Sequence, residues 1–405
     1  MNRGKIITLI DRNKYNFKVK KGVEYKDYTI KNQELIAAAI KRNDPNITIK
    51  QGNENHEIVF DYNMKESDYS DSNILYFYEN IQPIHPRLVG YCPLTNVGNS
   101  CYMNSAIQLL YSIPQLRDFF NSINIEDINQ YNCFIPTPEQ INNGYEICQT
   151  FLRDRNIILL NALKKIFYEM KTNHTVNISN IKGENIYNKL ITNTNLIKFR
   201  QEDTTEFMVP LISALNCFIE TQQISNTFVI TQQTKQICSN NEYNLKNTRE
   251  PLFSLPLNGN NIQELITNYT LEEEVPASES NLAFCYNKGH VYSRRQTRFL
   301  INDSLTTLIF SIKRFNYEQS TGSRIKLNNK IDTVKQIRIN NINFLIQGII
   351  IHSGDASGGH YVYLSFNENG DPHTIISDSS ITPFNNSSYF KNYQNNGYVY
   401  YYKRI

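Results

Sequence analysis

The order in which two hydrophobic periods follow one another constrains this chain most. From Asn99 to about Cys217 apolar residues recur at helical spacing: Ala106, Ile107 and Leu110 share one face, and Pro114 sets a stop. A further helix-rich stretch runs from Tyr145 to Met170. From about Phe228 the period drops to two, in runs such as Thr227-Phe228-Val229-Ile230, Leu308-Ile309-Phe310-Ser311-Ile312 and Gly397-Tyr398-Val399-Tyr400-Tyr401-Tyr402. Helices first and strands second predict an α+β fold, because a wound parallel sheet would interleave the two. The Asn-rich stretch Asn392 to Asn396 reads as a loop.

Residues 1 to about 85 read as a separate small α+β unit. Leu35, Ile36, Ala39 and Ile40 fall on one face of a helix over Gln33 to Arg42, with Asn32 as N-cap and Pro45 as stop. Ile47 and Ile49 alternate with polar residues, 51–55 supply turn chemistry, and Ile58-Val59-Phe60 resumes a strand, which predicts a hairpin. Another strand is expected over Ile74 to Tyr78. Pro83 and Pro86 place a linker near residues 80 to 92, so the second domain is expected over 86–405.

Forty-one basic and 38 acidic residues leave a formal net charge of +3, too balanced to predict a nucleic-acid or membrane-surface partner. No stretch approaches the ~18 uninterrupted apolar residues of a spanning helix, and the densest, Asn343 to Ile351, is broken by Gln347 and Gly348. The apolar run Ile6 to Ile10 is too short for a signal-peptide core and meets Asp11 at once. The seven cysteines are odd in number and scattered, and are expected as free thiols in an intracellular setting, cytoplasmic or nuclear.

One of those thiols stands out. The turn-forming run Leu94-Thr95-Asn96-Val97-Gly98-Asn99-Ser100 delivers Cys101 to a helix start. There the free N–H groups and the positive end of the helix dipole favour thiolate over thiol, which predicts a lowered pKa and a nucleophile. A buried helix-start cysteine of no special reactivity has the same local pattern, so a partner base must decide. Of seven histidines, His360 follows Ser357-Gly358-Gly359 and opens the strand Tyr361-Val362-Tyr363-Leu364, where glycines leave room for the ring and a strand fixes its direction. His352 is the weaker candidate, lacking that glycine approach.

From about Leu94 to Ile405, roughly three quarters of the chain, the sequence resembles the ubiquitin-specific protease family of papain-like thiol hydrolases. The cysteine box resembles Leu94 to Leu110, the middle box Gln201-Glu202-Asp203-Thr204-Thr205-Glu206-Phe207, and the histidine box Gly358-Gly359-His360-Tyr361-Val362-Tyr363. Phe253 to Leu257, Leu308 to Phe315 and Gly397 to Arg404 resemble the family's strand signatures, in order. The resemblance implies a papain-like cysteine protease hand, with a helical thumb bearing Cys101 and a β-rich palm and fingers, the palm bearing His360. It also implies a deubiquitinating reaction. Cys101 would attack the (iso)peptide bond after ubiquitin's C-terminal glycine, His360 would carry the proton, and water would cleave the acyl-enzyme without any cofactor. Asn96, five residues before the nucleophile, matches the family's oxyanion donor. Gln201, Asp203, Glu206 and Tyr361 match positions that meet the substrate tail, although Asp203 and Glu206 also fit an ordinary acidic first helical turn. Pro210 departs from a regular helix there and predicts a bend or a restart.

Ser377 holds the place where the family commonly has the Asn or Asp that orients the imidazole. Ser377 follows from the alignment and Asp378 from the chemistry, because a hydroxyl brings no charge to an imidazolium. Adjacent residues on an extended chain point opposite ways, so one of the two is expected to face His360. Cys238 and Cys285 lack the partners of the Cys-x-x-Cys pairs that hold zinc in many relatives, so no metal is expected; packing or strand pairing should hold the fingers. His290 could in principle be a third ligand but is not expected as one, and a set of His352, Asp355, His360, His373 and Asp378 lacks a recognisable ligand spacing. The expected partners are ubiquitin or ubiquitin-conjugated proteins. Two other readings remain: a non-catalytic ubiquitin-binding scaffold, and a protease for another ubiquitin-like modifier. The N-terminal unit resembles a WWE module through Gln33 to Ile40 and Glu57 to Met64, which would imply binding of ADP-ribose chains or a protein partner, but the chain has no Trp.

Overall fold

The computed structural model describes, in the first 90 residues, the strand segments 16–21, 24–29, 47–51 and 56–60. From 91 onward it describes all residues except 131–136, 143–151, 174, 222–229, 251, 277–282, 291, 319–322 and 385–392. The chain divides into two units, Met1–Val89 and Gly90–Ile405.

The first unit carries β1 (Asn16–Lys21), β2 (Glu24–Thr29), β3 (Ile47–Gln51) and β4 (His56–Phe60) in the order β2-β1-β4-β3. The expected hairpin is β3–β4, antiparallel with Ile49 opposite Ile58. β1 and β2 were not anticipated, although Phe17 and Val19 alternate with polar residues along β1. The helix expected over 33–42, the strand over 74–78 and residues 33–40 and 61–64 of the WWE likeness lie outside the described residues.

In the second unit the helices come first. Every residue of α1 (Cys101–Ser112) from Cys101 to Tyr111 is buried, as befits a helix that is apolar on most of its circumference and runs through the interior. Pro114 ends α1 and serves as first residue of α2 (Pro114–Ser122), where its missing N–H leaves no bond unmade. α3 (Arg153–Thr172) packs on α2, on α4 (Ile186–Thr194) and on α5 (Thr204–Thr221), with Phe167 edge-on to Tyr111 and Phe120. α5 runs on through Pro210 with no restart. A proline there costs about 3 kcal/mol. Phe207, Met208, Leu211, Ile212 and Leu215 are all fully buried on the same helix, and at ~1.5–3 kcal/mol each they outweigh it.

The strands form three further sheets. β5 (Ile230–Cys238), β6 (Tyr243–Glu250), β8 (Glu273–Pro276) and β9 (Tyr292–Leu300) make one sheet in the order β6-β5-β9-β8. β11 (Phe315–Glu318) and β12 (Ser323–Lys326) make a two-stranded ribbon. The eight-stranded sheet contains β7 (Phe253–Pro256), β10 (Thr307–Lys313), β13 (Gln336–Ile339), β14 (Ile342–Gly354), β15 (Gly359–Phe366), β16 (Pro372–Ser377), β17 (Ser380–Pro383) and β18 (Gly397–Arg404). Its path is β17-β16-β15-β14-β18-β10-β7, with β13 on β14. Residues 393–396, expected as loop, form a single helical turn.

Alternation along this sheet separates two apolar clusters. Ile350, Tyr361, Tyr363, Val399 and Tyr401 join α1, α3 and α5 on one face, while Ile349, Ile351, Val362, Leu364, Tyr400 and Tyr402 pack on the other. Arg314, fully buried, sits where β10 gives way to the ribbon and donates to the carbonyls of Gly397, Leu327, Asn329 and Gln394.

Cys238 and Cys285 form a disulfide, which corrects the expectation that all seven cysteines are free and adds a covalent link to the packing or strand pairing expected to hold this sheet. Cys238 ends β5, the short helix Ala283–Tyr286 carries Cys285, and the fold brings together two thiols that are 47 residues apart. Cys133 and Cys148 lie outside the described residues.

Candidate active site

Three segments meet at the start of α1. The loop before it is closed on itself: Val97 N–H donates to Ser100 Oγ (2.8 Å), and Ser100 N–H donates to Asn96 Oδ1 (3.2 Å). Gly98 and Asn99 follow each other in the left-handed region, at φ +67° and +58°, as turn chemistry requires. Cys101 is the first residue of the helix and is 3% exposed.

The second segment is β15. It packs against α1, which brings the Cys101 thiol close enough to the backbone N–H of Tyr361, the residue after His360, for that N–H to favour the thiolate. Gly359 is required by close approach: a Cβ there would lie 2.2 Å from the Ser353 carbonyl oxygen and 2.7 Å from His352 Nε2. Gln201 grips the same glycine from the helical side. Its Nε2 donates to Gly359 O (2.6 Å), and its Oε1 accepts the Gly359 N–H (2.7 Å). The residue before His360 is therefore tied to the segment leading into α5.

The third segment is the turn between β16 and β17. With Tyr363 opposite Ile376, one further step of register puts Ser377 on the face of His360, two residues from it across the strands. His360 Nε2 lies 2.8 Å from Ser377 Oγ and 4.0 Å from Asp378 Oδ2. The expectation that adjacent residues point apart fails here. Asp378 is at φ +49°, already in the turn, so its carboxylate swings toward the same site. It accepts from Asn104 Nδ2 (2.7 Å) and Asn96 Nδ2 (2.8 Å), while its backbone C=O accepts the Leu94 N–H (3.0 Å). Asn104, inside the cysteine box, was not singled out from sequence; a buried amide mid-helix was its signal.

The electrostatics correct one expectation. Burial pushes the Cys101 thiol up, and the nearby Asp378 charge adds to this; the N–H groups of Tyr361, Tyr102 and Cys101 itself act the other way without winning. The helix start is a real influence on the sulfur, but desolvation is larger. His352, 3% exposed and with its ring 4.4 Å from that of Tyr361, is driven down to about 4, mainly by burial and then by Lys326.

A cleft of about 470 Å³ opens beside these segments, between Phe199–Asp203 and the 355–358 turn, with Phe315, Arg324, His352 and Tyr361 along it. Of the three acidic residues of the middle box, Glu202 and Asp203 line the cleft and Glu206 does not. Asp203 is buried and accepts from Tyr398 Oη (2.8 and 3.0 Å), Thr205 N–H (2.8 Å), Thr205 Oγ1 (2.8 Å) and Arg324 (3.4 Å). The Thr205 donors hold its Oδ1, and the single Tyr398 hydroxyl hydrogen is shared between its two oxygens. Glu206 is exposed, and burial of part of its carboxyl, together with the Asp203 charge, pushes its pKa up. Tyr361 is buried, its ring between those of His352 and Tyr398. Among the described residues no group of three or more His, Cys, Asp or Glu side chains is placed to hold a metal ion; His290 instead lies 2.7 Å from Ser239 Oγ.

The profile of the ubiquitin carboxyl-terminal hydrolase family matches residues 92–402. The chain is similar to ubiquitin carboxyl-terminal hydrolase 7 of Drosophila melanogaster, 24% identical over 291 residues, covering 67% of this chain and 22% of the relative. It is also similar to ubiquitin carboxyl-terminal hydrolase 5 of Schizosaccharomyces pombe, 23% identical over 311 residues, 72% of this chain and 25% of that one. This chain thus spans about a quarter of the length of these curated relatives. Among solved structures it is similar in fold to the SAGA Ubp8/Sgf11/Sus1/Sgf73 DUB module bound to ubiquitin aldehyde, with a TM-score of 0.54 and 18% identity over 78% of this chain and 70% of that one.

Proposed function

Because this chain belongs to the ubiquitin carboxyl-terminal hydrolase family, we propose that it is a deubiquitinating cysteine protease that cleaves the (iso)peptide bond after ubiquitin's C-terminal glycine. The observation that carries this is the packing of α1, which Cys101 opens, on the histidine strand β15, where His360 has Nε2 2.8 Å from Ser377 Oγ.

With Nε2–H donated to Ser377, Nδ1 of His360 is the nitrogen that takes the thiol proton. The resting thiol is protonated near neutral pH, since burial holds its pKa above the usual value. Ionisation is therefore coupled to proton transfer. The thiolate attacks the glycine carbonyl, and the developing oxyanion is received by the Cys101 N–H and by the second N–H of the Asn96 amide, whose first is donated to Asp378. His360 returns the proton to the leaving amine, and water then cleaves the thioester. Asp378 holds Asn96 and Asn104 in place, Ser377 orients the ring, and Gln201 fixes the strand that carries it. On the same helix start as Asp203, the exposed Glu206 is a carboxylate open to a basic tail. Asp203 acts through Tyr398 and Thr205 as part of the wall.

Ubiquitin bearing a C-terminal electrophile should form a covalent adduct with the wild-type chain and none with Cys101→Ala. A wild-type chain that binds ubiquitin but never forms the adduct would sink the enzymatic reading. Adduct formation with another ubiquitin-like modifier alone would change the substrate.

A further inference from the structure

Phe199 stands between α4 and α5 with φ +60°, a left-handed backbone that a bulky side chain rarely adopts. The residue is 55% exposed, so burial does not account for the strain. What holds it is a set of specific contacts. Its N–H donates to Tyr187 Oη (2.9 Å), its ring stacks on Tyr187 with centroids 5.8 Å apart, and its C=O accepts Asn99 Nδ2 (2.9 Å). The ring edge lies over Gly98, where a Cβ would be 3.1 Å from Phe199 Cδ1. One side of this residue is thus anchored on α4, and the other presses on the two left-handed residues of the loop before Cys101. That loop is closed by the Val97–Ser100 and Ser100–Asn96 bonds, so a shift at Gly98–Asn99 reaches both Asn96 and the first N–H groups of α1. Strain held by surrounding contacts beside a reacting group has a role to fill.

We propose that Phe199 is a positioning residue, a clamp that holds the Gly98–Asn99 turn and through it sets Asn96 and the Cys101 N–H for the oxyanion. This rests on the hydrolase reading above. Phe199→Gly accepts the left-handed backbone and removes the clamp. It should lower kcat on a ubiquitin C-terminal amide by about tenfold to a hundredfold, the scale of a small misplacement of reacting groups. KM should stay within about threefold of wild type, and Phe199→Tyr should restore kcat. Amide hydrogen exchange in peptides covering 96–103 should quicken in Phe199→Gly while the peptides of α3 stay unchanged. A loss confined to KM would make the ring a substrate contact and overturn the clamp, as would unchanged exchange together with unchanged kcat. An inert wild-type chain would fail the hydrolase reading alone, and the exchange comparison would still decide the clamp.

Discussion

Ser377 and Asp378 sit side by side at the imidazole, and removing each should give different answers. Ser377 meets His360 with one neutral hydroxyl at 2.8 Å, on a ring that is about a third exposed. A neutral hydrogen bond is worth about 1 kcal/mol net, so Ser377→Ala should lower kcat about fivefold. Asp378 is more deeply placed, its side chain 13% exposed, and its two oxygens receive the amides of Asn96 and Asn104. Removing the carboxylate takes away the acceptor of Asn96 Nδ2, the proposed oxyanion donor, while Asn104 Nδ2 keeps the Leu94 and Thr95 carbonyls, each at 3.4 Å. Loss of one such donor costs about 2.7–4 kcal/mol, so Asp378→Ala should lower kcat by about a hundredfold to a thousandfold. Steady-state hydrolysis of a ubiquitin C-terminal fluorogenic amide measures both, with thermal melts confirming that each variant is folded. Asp378→Asn keeps one acceptor oxygen and should fall between. If folded Ser377→Ala loses more kcat than folded Asp378→Ala, the carboxylate's bonds to the two asparagines do not support catalysis, and the assignment of roles drawn from them is wrong.

His352 is held near 4 against about 6.5 when exposed, so below pH 6.5 the unfolded chain binds a proton that the native one refuses. Stability should fall as pH drops from 6.5 to 4, by up to about 3 kcal/mol. Urea unfolding across that range should show a slope in wild type that His352→Gln lacks, and equal slopes would refute the assignment. The Cys238–Cys285 bridge closes a loop of 47 residues, for which chain entropy sets a contribution of up to about 4 kcal/mol. Cys238→Ser should lower the melting temperature under oxidising conditions and make it insensitive to reductant, and a wild-type melt that reductant leaves unchanged would count against the bridge.

Much of this architecture was legible because it is written in local pattern. The strand periods at 308–312 and 397–402 became β10 and β18, and the turn residues before Cys101 became the loop at the start of α1. The glycine before His360 proved to be a position where no side chain fits. What escaped depends on partners distant in sequence. That Asp203 accepts from Tyr398, 195 residues away, needs the fold. The pairing of Cys238 with Cys285 needs the fold, as does the desolvation that reverses the expected pKa of Cys101. Phe199 gives no sign of a left-handed backbone, because phenylalanine is a poor residue for one. The turn at Asp378 was misjudged by treating it as extended chain.

The buried Arg314 spends its guanidinium on four backbone carbonyls, with no carboxylate among those acceptors. Carbonyl oxygens come with the backbone whatever side chains surround them, so substitutions that leave the backbone in place keep these four acceptors, while changes at Arg314 itself leave them without their donor. An ammonium group at the end of a lysine is a single point with three donors and cannot span oxygens so arranged. In a mutational survey, position 314 should therefore tolerate almost nothing, and its variants should be missing from the cell rather than present and inactive.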